Sequence, residues 1–182
     1  MKKLLSLLII VISFSATVFA QSDKIHWRTI EEVEALQKKE PRKVFIDVYT
    51  TWCGPCKMMM KNTFSNKNVI KYVNANYYAV KFDAESGKDV TFKGNSYRNP
   101  GYNPYGRGRN SQHQFAQALG VSSYPTVIYM DEELNIIAPI KGYQDPAGIE
   151  LFLKYFNDTE TPSPEGFGEF QSKFKPTFNL KN

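Results

Sequence analysis

A run of β-branched and aromatic residues, Val44 to Tyr49, leads straight into Trp52-Cys53-Gly54-Pro55-Cys56-Lys57, which holds the only two cysteines among 182 residues. Such a run reads as a buried strand, and Lys57 to Asn62 can continue as a helix with Met58 and Met59 as packing residues. A strand that ends on Cys-x-x-Cys and feeds a helix puts the first sulfur at the helix N-terminus. Unpaired amide groups and the positive end of the helix dipole favour the thiolate there. Only a thiolate attacks a disulfide, so Cys53 is the candidate nucleophile. Cys56, one turn on and expected to be the more enclosed, is the candidate resolving thiol. Pro55 restricts the turn and supplies no amide hydrogen.

Other uses of the pair fit poorly. A bridge across two intervening residues closes a very short loop and restricts the unfolded chain little. Structural zinc needs four ligands, and only His26 and His113 could supplement the cysteines. Haem attachment needs a histidine after the second cysteine, where this chain has Lys57. No metal, nucleotide or flavin motif is present, so no cofactor is expected and electrons must come from another protein.

The N-terminus suggests where this chemistry would operate. Lys2 and Lys3 precede an apolar run from Leu4 to Ile12, and Val18-Phe19-Ala20 offers small residues for cleavage. This is the layout of a secretory signal peptide cut after Ala20, and the expected location is periplasmic or otherwise extracytoplasmic. The alternative is an uncleaved membrane anchor, but Ser13, Ser15 and Thr17 interrupt the stretch before it reaches the roughly 20 residues of a spanning helix. Removing residues 1–20 lowers the formal charge from +5 to +3, with no basic tract that would suggest nucleic-acid binding.

The expected organisation is a signal peptide over 1–20, one domain over 21–157 and a C-terminal tail over 158–182. Thr29 and Glu32 have capping-box spacing, with Ile30, Val33 and Leu36 on one helical face. Further segments read as a helix over 65–74, a strand over 77–82, a helix over 112–119, a hairpin from 126–130 and 136–140, and a helix opened by Pro146. Between about 86 and 111, five glycines and two prolines alternate with tyrosine and arginine, which reads as a long loop or insertion. Its aromatics could pack on their own backbone or form a recognition surface for an unfolded or acidic client. In the tail, Phe167, Phe170, Phe174 and Phe178 recur at three- and four-residue spacing; they could bind a partner or stay mobile, but the spacing favours a docked amphipathic helix because exposed phenylalanines are a liability. The fold class is α/β, a mixed sheet covered by helices on both faces.

Trp52-Cys53-Gly54-Pro55-Cys56-Lys57 resembles the active-site motif of the thioredoxin family, and Tyr124-Pro125-Thr126 resembles the family's cis-proline loop. The similarity covers about Val44 to Phe156, apart from the glycine-rich segment. It implies a thioredoxin-like sheet, a redox disulfide between Cys53 and Cys56, and a cis Pro125 lying against the Cys53 sulfur. Trp52, Gly54, Pro55, Tyr124 and Pro125 would then contact the substrate. Asp47 has two readings. It is either a solvent-facing aspartate on an edge strand or, since alternation groups it with Phe45 and Tyr49, a buried carboxyl with a raised pKa. The resemblance implies that Asp47 is a general acid/base for Cys56 and that Lys81 pairs with it, although Lys81 also reads as an ordinary exposed strand lysine. Gly142 resembles a glycine that keeps the neighbouring groove shallow.

The activity implied is thiol–disulfide exchange with client proteins, linked to a protein electron donor or acceptor. Gly-Pro within the motif resembles reducing members more than strongly oxidising ones. The alternatives are a binding module on the same fold, or a disulfide isomerase or chaperone.

Overall fold

The computed structural model describes residues 23–106 and 108–178; the segment expected to be a signal peptide, 1–20, lies outside them. The order of elements starts with β1 (Trp27–Arg28), α1 (Ile30–Gln37), β2 (Lys43–Tyr49), α2 (Gly54–Asn62), α3 (Lys67–Asn76) and β3 (Tyr77–Asp83). It continues with β4 (Val90–Phe92), β5 (Asn95–Tyr97), α4 (Gln114–Ala118), β6 (Thr126–Met130), β7 (Ile136–Lys141), α5 (Pro146–Asp158) and α6 (Pro164–Lys173). Five strands form one mixed sheet in the order β1-β3-β2-β6-β7. β2 pairs in parallel with β3 and antiparallel with β6, so the strand that precedes the cysteines is flanked on both sides.

Strand alternation divides the core. Val44, Ile46 and Val48 face a cluster containing Val33 of α1 and Phe115 of α4. Phe45 faces the opposite cluster with Met59 of α2, Val69 and Val73 of α3, and Leu153 of α5. Each fully buried aliphatic or aromatic side chain contributes about 1.5–3 kcal/mol. The capping box opens α1 as expected: the Thr29 amide donates to Glu32 Oε2 at 2.8 Å and the Glu32 amide donates to Thr29 Oγ1 at 3.3 Å. On α2 only one of the two expected methionines packs inward. Met59 is buried and Met58 is 52% exposed, because the 100° step between adjacent helical residues turns one away as the other turns in.

The 86–111 segment is more ordered than a long loop. Its β4 and β5 pair as a hairpin, and Val90 and Phe92 belong to the α1-side core. Lys93 and Gly94 both have positive φ, the backbone a two-residue hairpin turn requires. The hairpin is also fastened to α1, since the Thr91 amide donates to Glu31 Oε1 at 2.9 Å and the Lys93 amide to Glu34 Oε1 at 2.7 Å. Buried His113 anchors the far end. Its Nδ1 accepts from the Phe115 amide and its Nε2 donates to the Lys88 carbonyl, each at 3.0 Å.

The phenylalanine-rich end docks. Phe167 on α6 stacks on Phe152 of α5 at 5.3 Å, and Phe178 is buried. Beyond α6 the chain is held by Glu150 of α5, whose side chain is fully buried. It accepts from Lys154 Nζ at 2.6 Å, the Thr177 amide at 2.6 Å, the Phe178 amide at 2.7 Å and the Thr177 hydroxyl. Burial raises the carboxyl pKa, but these donors outweigh it and hold the group below its ordinary value. Phe178→Ala should therefore lower stability by about 2–3 kcal/mol, less than a central core truncation because the site lies on the flank. Urea unfolding would measure this; an unchanged midpoint would mean that the tail is only loosely placed.

Candidate redox site

β2 ends at Tyr49, and α2 starts at Gly54 with Cys53 as its N-cap and Pro55 in its first turn. Cys53 and Cys56 form a disulfide with an S–S distance of 2.07 Å. The Cys56 amide donates to Cys53 Sγ at 3.1 Å. In the reduced state this donor and the helix N-terminus would stabilise negative charge on the same sulfur. Cys56 is no more enclosed than Cys53, at 3% and 2% exposure. The bridge draws both sulfurs together. Gly54 and Pro55 are exposed beside them.

The second landmark lies on the loop before β6. The Tyr124–Pro125 peptide bond is cis. The Pro125 carbonyl accepts from the Gly142 amide at 2.8 Å, and Gly142 has a φ of +87° that a side chain would strain. The Tyr124 ring meets Trp52 edge-on, with centroids 6.0 Å apart, so the residues flanking the two landmarks touch.

Asp47 is 2% exposed. It projects to the sheet face of Phe45, the face that α2 covers through Met59. Burial pushes its pKa up to about 7, and the nearby positive charge of Lys81 restrains the rise. Lys81 is the register partner of Asp47 across the β2–β3 pair. The two do not form a close ion pair. The Lys81 ammonium instead sits 4.6 Å from the centroid of the Tyr49 ring, because the long lysine stem reaches past its strand partner. Lys81 acts on Asp47 through space.

A cleft of about 370 Å³ opens beside Cys56, lined by Tyr49, Thr50, Thr51, Lys57, Met60, Lys61 and Lys81. Sequence reasoning did not foresee the surroundings of Trp52. Its Nε1 donates to Glu85 Oε1 at 2.9 Å, while Glu85 Oε2 accepts from the Asn110 amide at 2.9 Å. The Arg109 guanidinium lies 3.7 Å from the Trp52 ring centroid. Gln112 Nε2 donates to the Tyr124 hydroxyl at 3.1 Å. The mixture of arginine and tyrosine in the segment hinted at recognition, but only the folded return of the chain shows which arginine reaches Trp52.

A thioredoxin fold carrying a Cys-x-x-Cys disulfide at a helix N-terminus is what the backbone and site define. The sequence profile of the thioredoxin-like domain matches residues 30–157, and the chain belongs to this family. Among solved structures, a thioredoxin-fold protein from Helicobacter pylori superimposes with a TM-score of 0.55 at 17% identity, covering 72% of this chain and 83% of its own. A DsbH oxidoreductase superimposes at 0.53 with 12% identity, covering 74% and 85%. A putative disulphide-isomerase from Bacteroides thetaiotaomicron gives 0.52 at 26% identity, covering 79% of this chain and all of its own. An uncharacterized protein of Archaeoglobus fulgidus is 29% identical over 82 residues, and the alignment spans 43% of this chain and 65% of that protein's length.

The raised pKa of Asp47 has a consequence for stability. The folded state holds this proton more tightly than the unfolded chain, so the contribution of Asp47 is complete below about pH 4 and is lost as pH rises towards 7. Asp47→Asn removes this dependence. The oxidised variant should gain roughly 2–3 kcal/mol relative to wild type between pH 5 and pH 8. Urea unfolding across that range tests the point, and parallel profiles for the two proteins would refute it.

Proposed function

We propose that the protein is an exported thiol–disulfide oxidoreductase that reduces disulfides in client proteins. The observation that carries this reading is the Cys53–Cys56 disulfide capping α2, with the Cys56 amide aimed at the Cys53 sulfur.

In the reduced protein, Cys53 thiolate attacks one sulfur of a client disulfide. That S–S bond breaks, one client sulfur leaves as a thiolate, and the other stays bonded to Cys53. Cys56 then gives its proton to the Asp47 carboxylate and attacks Cys53 Sγ. The mixed disulfide breaks, the second client thiolate leaves, and Cys53–Cys56 closes. The client has gained two electrons and, once its thiolates are protonated, two protons. A dithiol protein donor returns the electrons by the same exchange in reverse. Trp52, Gly54, Pro55, Tyr124 and Pro125 would receive the client strand beside the attacking sulfur, a reading supported by the contact between the Trp52 and Tyr124 rings. The basic start, apolar run and Val18-Phe19-Ala20 support delivery outside the cytoplasm, with membrane attachment only if that segment is retained.

Cys53→Ser should abolish reduction of a protein disulfide, whereas Cys56→Ser should accumulate client covalently attached at Cys53, detected by non-reducing electrophoresis and mass spectrometry. Wild-type protein that leaves every tested disulfide intact would defeat the reading. For Asp47 as proton acceptor, the rate of mixed-disulfide resolution should rise with pH to a plateau above about 7. Asp47→Asn should slow that step on the order of a hundredfold and remove the inflection. Rapid-quench measurement of resolution tests both, and an unaltered profile in the variant would exclude Asp47 from the proton transfer.

A further inference from the structure

We propose that Arg109 selects client segments that carry a carboxylate next to the reacting cysteine. The inference rests on the disulfide-exchange reading and adds the chemistry of the client.

The 86–111 segment returns to the body of the domain beside the disulfide and is fixed there from both sides. The Asn110 amide is held by Glu85, which also holds Trp52. Gln112 reaches the Tyr124 hydroxyl and the Val121 carbonyl. Arg109 therefore stands at the junction of the two landmarks that flank the sulfurs. Its guanidinium rests on the Trp52 ring at 3.7 Å from the centroid while the residue as a whole stays exposed. Packing on an indole limits the side chain's freedom without using its N–H donors.

Those donors have no carboxylate partner among the ion pairs of the described residues. Glu85, the acid that shares Trp52 with Arg109, already has one donor on each oxygen. Asp83 lies in the same neighbourhood, where its Oδ1 accepts from the Glu85 amide at 3.0 Å. The cleft at Cys56 is lined by Lys57, Lys61 and Lys81 and by no acid. A client strand approaching Cys53 would thus meet a pre-positioned guanidinium and a cationic cleft. A guanidinium with free N–H groups is suited to a bidentate carboxylate, and complementary charge speeds encounter.

The probes are short peptides joined as symmetric disulfides, identical except for Asp, Asn or Lys immediately after the cysteine. Pre-reduced protein is mixed with each peptide, and the second-order rate constant of exchange is measured by stopped flow. Wild type should react about five- to tenfold faster with the Asp peptide than with the Asn peptide. This ratio should shrink as ionic strength rises, because the pair is exposed. Arg109→Gln should bring the ratio to about one, and Arg109→Glu should invert it in favour of the Lys peptide. Comparing peptides within one protein cancels any general loss of reactivity. A wild-type ratio near one overturns the proposal while leaving disulfide exchange intact. A preference that survives Arg109→Gln, or that disappears only in Lys57→Gln, overturns it in favour of the lysine cleft. A wild type inert towards all three peptides removes both this inference and the disulfide-exchange reading.

Discussion

The hydrogen bond from the Cys56 amide to the Cys53 sulfur depends on where β2 stops. β2 is held in register by β3 on one side and β6 on the other, so its end cannot shift without moving the whole sheet. Cys53 follows it as the cap of α2, and Met59, one turn past Cys56, anchors that helix in the core. The sulfur is thus placed by the rigid centre of the molecule, and the field it experiences comes from backbone groups that cannot be lost by changing a side chain.

The same strand also carries the buried acid. Alternation that sends Val44, Ile46 and Val48 to one core sends Phe45 and Asp47 to the other. Desolvation then brings the carboxyl to about 7, where a proton can be taken up and released near neutral pH. A buried carboxyl lowers stability once ionised, so the proposed proton transfer at Asp47 is set against stability at one position. Lys81 moderates the conflict from the Tyr49 ring without abolishing it.

Much of this was legible in the sequence because it depends on local rules. The capping box at Thr29, the strand before Cys53 and the helix opened by Pro146 each follow from a few neighbouring residues, and the burial of Asp47 follows from alternation. The β4–β5 hairpin was missed because Val90-Thr91-Phe92 is short and its turn is Lys93-Gly94 rather than the commoner Asn-Gly. It is stabilised by Glu31 and Glu34, residues some sixty positions away. The placement of Arg109 on Trp52 was invisible for the same reason: two ends of a long segment are brought back by Glu85, His113 and Gln112, a long-range arrangement that no local pattern encodes. The expected Asp47–Lys81 pairing had the right strand register, but the lysine's reach was not set by register.

The clasp at Glu150 also decides which apolar surface the domain leaves open. By drawing Phe167, Phe170 and Phe178 onto Phe152, Tyr155 and Tyr72, it covers an apolar flank that would otherwise attract unfolded chains indiscriminately. Among the described residues, the large apolar side chains left most open are Trp52, Met58, Tyr102, Tyr105 and Ile136, and all but Ile136 belong to the Trp52–α2 stretch or the 86–111 segment. The domain's adhesiveness is thereby polarised towards the Trp52–α2 stretch and the 86–111 segment.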